Sequence, residues 1–280
     1  TSHRQRIQST PQFQAFQTSY TRNMISLKED FDLIIAGQVD GACDHLLSEA
    51  ASLFASKTSL ELFDMIHTMR SVDDSVYAHS LNVALISRAI GKWMQFSKED
   101  LNTLTLAGLL HDIGKTQIPS EILNKQGKLT DEEFDIIRSH AKLGHKILKD
   151  TDLDLRIKLA ALQHHERYDG SGYPRGLESD EIDTFASIVA IADVYDAMTA
   201  ARSYRAPKCA FQVIAAFEDD GFQKYNPKVI FTFLQRVAAC YNNSRVLLSD
   251  GTAGQIVYLN KNTLSRPIVD TVEHGLIDLS

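Results

Sequence analysis

A mainly α-helical fold with a small β appendage at its C-terminal end is predicted by three observations. Apolar residues recur at steps of three and four over most of the stretch from Leu27 to Tyr241, the signature of amphipathic helices packed on one another. The character changes at Arg245, where short β-prone runs are split by Asp250-Gly251 and Asn260-Lys261-Asn262, the composition of turns between strands. A hydrophobic share of 44% and a charged share of 23% in 280 residues belong to a globular chain able to bury a sizeable core.

Residues 1 to about 25 are polar and glutamine-rich, from Gln5 to Gln17, and read as a linker or a solvated helix. From Leu27 to Met69 the pattern is helical, punctuated by Gly37 and Gly41; helix packing or subunit contact is its expected role. A long helix from about Val72 to Met94 follows, with Val72, Val76, His79, Val83, Ile86 and Ile90 at alternating steps of four and three. His79 is the polar member of that stripe. Ser97 caps the next helix, whose stripe of Leu101, Leu104 and Gly108 runs onto His111 and Asp112. Gly114 lets the backbone leave the helix, and Lys115 places a cation one turn on.

Pro119, Asn124 and Gly127 mark a loop, and Thr130 with Glu133 forms a capping box. The helix behind it is expected to bury Phe134, Ile137, Ala141, Gly144 and Leu148 together with His140, leaving His145 at the surface. Leu153 to His165 is another apolar helix ending in His164-His165. Neighbours on a helix diverge by only ~100°, so both imidazoles can converge on one ion. The stretch from Tyr168 to Gly176 reads as a tight glycine-rich loop. Phe185 to Met198 is apolar nearly all round, hence buried, yet holds Asp193 and Asp196 one turn apart. Arg202 and Arg205 offer planar donors suited to phosphate oxygens. After Pro227 one more apolar helix runs to about Tyr241. Short strands are expected over 245–248, 255–259, 267–272 and 276–279.

Net charge is −7, which argues against a broad surface for a nucleic-acid polymer. Cys43, Cys209 and Cys240 have no metal or redox spacing, as expected of reduced thiols in a cytoplasm. No apolar run approaches the ~20 residues that span a bilayer. The chain starts at Thr1, which points to a piece of a longer protein with room for a preceding sensor.

Each histidine alone reads as an ordinary core residue bonded to a carbonyl. Together, His79, His111, His140, His164 and His165 point inward with Asp112 and Asp193, and a core rarely holds that many polar groups without partners. The count exceeds one tetrahedral site, so at least two ions sharing a bridging ligand are expected. Asp112, with two oxygens and a place between the two sets, is the natural bridge. Two cations about 3.5–4 Å apart make a hydrolytic site that activates water and clamps a phosphate, with Lys115 and the arginines on the phosphates. Asp196 is expected behind a ligand, as a hydrogen-bond acceptor. Neither a strong Ser/His/Asp nucleophile pattern nor a phosphate loop competes.

Taken in order, His111-Asp112-Ile113-Gly114-Lys115, His140, His164-His165, Gly172-Tyr173-Pro174 and Ala192-Asp193-Val194-Tyr195-Asp196-Ala197-Met198 resemble the motifs of the HD-GYP family of bacterial cyclic-dinucleotide phosphodiesterases. The resemblance implies an HD-type helical bundle over 72–244, between a linker and helical segment at 1–71 and a β tail at 245–280. It implies cleavage of cyclic di-GMP to linear pGpG, onward to GMP in some members, and of 3′3′-cyclic GMP-AMP in others. His79, His111, Asp112 and Asp193 would hold one ion; Asp112, His140, His164 and His165 would hold the other. Lys115 beside Asp112 would aid attack or bind phosphate. Gly172, Tyr173, Pro174 and the adjoining Arg175 would shape the substrate pocket, with Arg202 and Arg205 on the dinucleotide. The implied cofactors are two divalent ions, iron or manganese. A homodimer through the N-terminal helices is a further expectation. In members with a third metal a glutamate stands one turn before the first histidine; Ser75 stands there here, so two metals are expected. A cyclic-dinucleotide receptor without catalysis, and an HD hydrolase of another nucleotide, are the competing readings.

Overall fold

In the computed structural model, residues 7–55, 57–69, 75–200 and 208–280 are described. The chain runs through α1 (Pro11–Ile35), α2 (Val39–Phe54), α3 (Ser59–Met69), α4 (Val76–Trp93) and α5 (Lys98–Leu110). A 3-10 turn (Ile113–Gln117) leads to α6 (Ser120–Leu123), α7 (Asp131–Arg138), α8 (His140–Leu148) and α9 (Leu155–Gln163). A second 3-10 turn (Ser179–Glu181) precedes α10 (Thr184–Thr199), α11 (Ala210–Lys224) and α12 (Pro227–Cys240). Four strands close the chain: β1 (Arg245–Leu247), β2 (Ala253–Tyr258), β3 (Ile268–Thr271) and β4 (Gly275–Asp278). They form one antiparallel sheet in the order β1-β2-β3-β4, and the inward Ile256 and Val269 pair across β2 and β3. The mainly α fold with a β tail is therefore the observed one.

Three local expectations need correcting. The stretch from Pro11 to Ile25 is no linker or solvated helix, because it belongs to α1, which buries Phe13, Phe16 and Tyr20 before Leu27, Phe31 and Ile34. The glutamines occupy the outer face and mask that stripe, whose aromatic rings each contribute about 2 kcal/mol on burial. Phe134 is 50% exposed and α7 buries no residue, since this short helix meets the bundle only at its end. The helix there is broken at Ser139, where the Ser139 hydroxyl donates to the Ile136 carbonyl and the His140 ring to that of Ile137. In addition, α11 was not anticipated, although Ala210, Val213, Ile214, Phe217 and Gly221 line its buried face.

α5 lies along α4, α10 packs on α4, and α9 contacts α5, α8 and α10. Residues of α1, α2 and α3 join the same apolar cluster as α4, α5, α10 and α12. α10 is buried on nearly every side, as its composition predicts. Among the described residues no helix is long and apolar enough to cross a membrane.

Candidate metal centre

The centre is assembled where α5 ends. His111 follows the last turn of α5, and its Nδ1 donates to the Gly108 carbonyl at 2.7 Å. Asp112 then opens the 3-10 turn, which packs on α8. Gly114 permits that contact: a Cβ there would lie 1.9 Å from the His140 carbonyl oxygen and 2.5 Å from the Gly144 nitrogen. Any side chain at 114 would push α8, and His140 with it, away from Asp112.

Both Asp112 oxygens face imidazoles, but different ones. Oδ2 lies 3.4 Å from His111 Nε2 and 3.6 Å from His79 Nε2 and accepts from Lys115 Nζ at 2.6 Å. Oδ1 lies 3.3 Å from His140 Nε2 and 3.6 Å from His164 Nε2. Asp193 comes in from α10, with Oδ1 3.0 Å from His79 Nε2. His165 stacks on Tyr173, their rings 4.7 Å apart and 18° from parallel. Among the described residues three ligand-type groups result, each with its atoms within 4.8 Å of one another: His79, His111 and Asp193; His111, Asp112 and His164; and His140, His164 and His165.

The proton positions decide what such a cluster can hold. A carbonyl only accepts, so Nδ1 carries the hydrogen in His111, in His140 (to Ile137, 2.6 Å) and in His164 (to Ala160, 2.9 Å). Nε2 of each neutral ring is then a lone pair. His140 Nε2 and His164 Nε2 face each other at 3.2 Å, and His111 Nε2 and Asp112 Oδ1 are buried with no hydrogen bond. Lone pairs gathered around a carboxylate repel unless a cation lies between them, so the donor set fits divalent metal ions.

The electrostatics follow from burial and charge. Burial pushes the His140 imidazole down to about 4, and lowers those of His164 and His165, keeping these rings neutral and open to a cation. Burial also opposes the charged form of Asp112, but the Lys115 ammonium beside it helps outweigh that cost, and the carboxyl lies well below its usual range. At His79 burial is likewise outweighed, here by Asp193 and Asp196, which raise the imidazole to about 9. Asp196 is the fully buried acceptor behind it, taking the Nδ1 hydrogen at 2.7 Å.

The loop at 170–177 stands against this cluster. Gly172 sits where a Cβ would lie 2.4 Å from the His165 oxygen and the Arg167 nitrogen. Tyr173 lies between His165 and the Arg138 guanidinium, which is 4.4 Å from the ring centroid. Glu166, absent from the sequence-based set, anchors the loop: its buried carboxylate accepts from the amides of Arg175 at 2.7 Å and Leu177 at 3.0 Å. A charge following two histidines looks like a solvated helix end, so nothing local marked it. Arg175 itself is exposed. Ser75 caps α4, its hydroxyl accepting from the Ala78 amide at 3.1 Å. Val72, Arg202 and Arg205 lie outside the described residues.

Known proteins resemble this chain in sequence and in fold. The chain is 39% identical over 179 residues to a cyclic di-GMP phosphodiesterase of Thermotoga maritima, covering 63% of this chain and 48% of the relative. A cyclic di-GMP phosphodiesterase of Pseudomonas aeruginosa is 34% identical over 202 residues, covering 72% and 49%. The chain thus spans about half the length of the curated relatives it matches. In fold it is similar to an HDG"Y"P protein of Bdellovibrio bacteriovorus, with a TM-score of 0.61 at 18% identity over 77% of this chain and 69% of that one. The HD domain family model matches residues 44–229, the stretch that carries all the ligand-type side chains described above, and the chain belongs to the HD domain family.

Proposed function

We propose that this protein is a metal-dependent phosphodiesterase that hydrolyses a 3′,5′ phosphodiester of cyclic di-GMP to give linear pGpG. The observation that carries the reading is the set of buried imidazole lone pairs converging on both oxygens of Asp112. Held there, a pair of divalent cations supplies the Lewis acidity that activates water and draws charge from the phosphate. His79, His111 and Asp193 would hold one ion, His140, His164 and His165 the other, and Asp112 would serve both; iron or manganese would suit this donor set.

Lys115 donates to Asp112 from the side and balances its charge, placing a cation where a phosphate oxygen gains negative charge. Tyr173, its ring held between His165 and Arg138, shapes the substrate pocket together with Gly172, Pro174 and Arg175. Arg202 and Arg205 contribute guanidinium groups to the second phosphate. Ser75 supplies a hydroxyl where a third ion would need a carboxylate, so the reaction stops mainly at pGpG. The catalytic unit covers 72–244, flanked by the 1–71 segment and the 245–280 tail. The three cysteines form no disulfide, which supports a cytoplasmic place where cyclic dinucleotides are made. Exposed Ile25, Leu33 and Ile35 on α1 support pairing of two copies through the N-terminal helices.

The test is anaerobic purification with Mn²⁺ or Fe²⁺, elemental analysis, and chromatography of products from cyclic di-GMP and 3′3′-cyclic GMP-AMP. About two metal equivalents and accumulation of pGpG are expected. Tight binding of either dinucleotide without product would favour the receptor reading, and consumption of a different nucleotide would favour another HD hydrolase.

A further inference from the structure

The hydrogen-bond chain behind His79 does not end at Asp196. Asn82, one turn beyond His79 on α4, donates from Nδ2 to Asp196 Oδ1 at 2.9 Å. Its Oδ1 in turn accepts from the hydroxyl of Tyr20 at 2.6 Å, with the Ala78 carbonyl a second acceptor for that hydroxyl at 3.0 Å. Tyr20 belongs to α1, outside the residues matched by the HD domain family. Tyr20, Asn82 and Asp196 are each at most 1% exposed, so water does not substitute for a missing partner.

We propose that Tyr20 is a positioning residue of the metal centre, and that α1 reaches His79 through Asn82 and Asp196. This rests on the metal-centre reading above.

The polarity of each link gives the chain its direction. A carboxylate only accepts, so Asn82 must turn its NH₂ toward Asp196, leaving its carbonyl oxygen toward Tyr20. The Tyr20 hydroxyl satisfies that oxygen and so holds the amide in the one orientation that supports Asp196. Asp196, gripped by the Asn82 amide on one oxygen, presents the other to His79 Nδ1. That bond keeps the Nδ1 hydrogen in place and aims Nε2 at the centre. Without the Tyr20 hydroxyl the Asn82 oxygen is buried and unpaired. The amide is then held only through its NH₂ end, which leaves Asp196 and the His79 ring less firmly placed. The Tyr20 hydroxyl on α1 is thereby felt at a metal ligand.

The experiment is competitive titration of Mn²⁺ against a chromophoric chelator, on the full 280-residue chain, with kcat and KM for cyclic di-GMP measured alongside. Tyr20→Phe keeps the ring and removes only the hydroxyl. It is expected to weaken Mn²⁺ binding about tenfold, the low end for an outer partner of a ligand, and to lower kcat with KM within twofold. Asn82→Ala is expected to weaken it by about 10–100-fold, and Tyr20→Phe added to Asn82→Ala to cost less than a further twofold, because the link is already cut. Leu27→Ala, a core change on the same helix, is expected to lower the melting temperature yet leave Mn²⁺ affinity within twofold. Unchanged affinity in Tyr20→Phe, additive losses in the double variant, or an equal loss in Leu27→Ala would each overturn the proposal. If Asn82→Ala does not fold, the contrast between Tyr20→Phe and Leu27→Ala decides alone. Failure of the unmodified chain to take up Mn²⁺ would instead defeat the metal-centre reading.

Discussion

His111 and Asp112 are neighbours in the chain but serve the centre differently: the imidazole brings one lone pair, whereas the carboxylate faces two separate imidazole sets. His111→Ala or Asp112→Ala is accordingly expected to remove at least one metal equivalent and to lower turnover by about a hundredfold or more, beyond the loss of an outer partner. Elemental analysis and product chromatography read both effects, and full metal content in Asp112→Ala would remove its bridging role. The loop residue Gly172 has no room for a methyl group against the His165 oxygen and the Arg167 nitrogen. Gly172→Ala is expected to cost about 1–3 kcal/mol through overpacking and, by moving Tyr173, to raise KM for cyclic di-GMP about tenfold, a 1.4 kcal/mol effect. Thermal melts and steady-state kinetics measure the two. The inward placement of these candidate ligands was legible from stripe register, since His79, His111 and His140 fall on helical steps with apolar residues. Glu166 was not, because its partners are backbone amides presented by a loop.

At the scale of the element, α1 shows how side-chain composition can hide a helix that packing requires. Its buried stripe is interrupted in sequence by glutamines, so the polar share of the first 25 residues outweighs the periodicity of Phe13, Phe16 and Tyr20. The junction of α1 with α2 also carries a pH-sensitive pair. His45 on α2 bonds through Nδ1 to the buried Asp30 on α1 at 2.8 Å, and the bond to Asp30 raises its imidazole above the ordinary value. A group raised on folding adds stability that is fully present below its unfolded value, about 6.5, and lost as pH rises through the folded one. Melting temperatures of the unmodified chain and His45→Gln should therefore differ most near pH 5.5 and converge toward pH 9. A constant difference across that range would show that the pair contributes only as a neutral hydrogen bond. The ring is half exposed, so screening keeps the effect small. The β tail was legible as four short strands close to their observed places, because β-prone runs alternate with turn residues, whereas their pairing in the order β1-β2-β3-β4 came from the tertiary structure.

For the whole molecule, a cluster of unpaired acceptors inside an apolar bundle is a source of instability that bound cations relieve. Removing metal with a chelator is expected to lower the melting temperature, and Mn²⁺ to restore it. At a hundredfold excess over Kd the linkage amounts to about 2.7 kcal/mol, or roughly 5–10 °C for a chain of this size. Differential scanning with and without chelator measures it, and identical melts would mean that the native state binds no ion. By itself the sequence determined that the chain is a helical bundle with a β tail, and which imidazoles and carboxylates its helices turn inward. Both follow from periodicity, a property of neighbours a few residues apart. Only the tertiary structure decided which imidazoles face each oxygen of Asp112, that Glu166 holds the glycine-rich loop at 170–177, and that Tyr20 stands behind His79. The Asp112 and Tyr20 contacts join residues far apart in the chain, and the crossing of packed helices, which no local pattern encodes, sets their distances; the Glu166 bonds depend on the path of a loop.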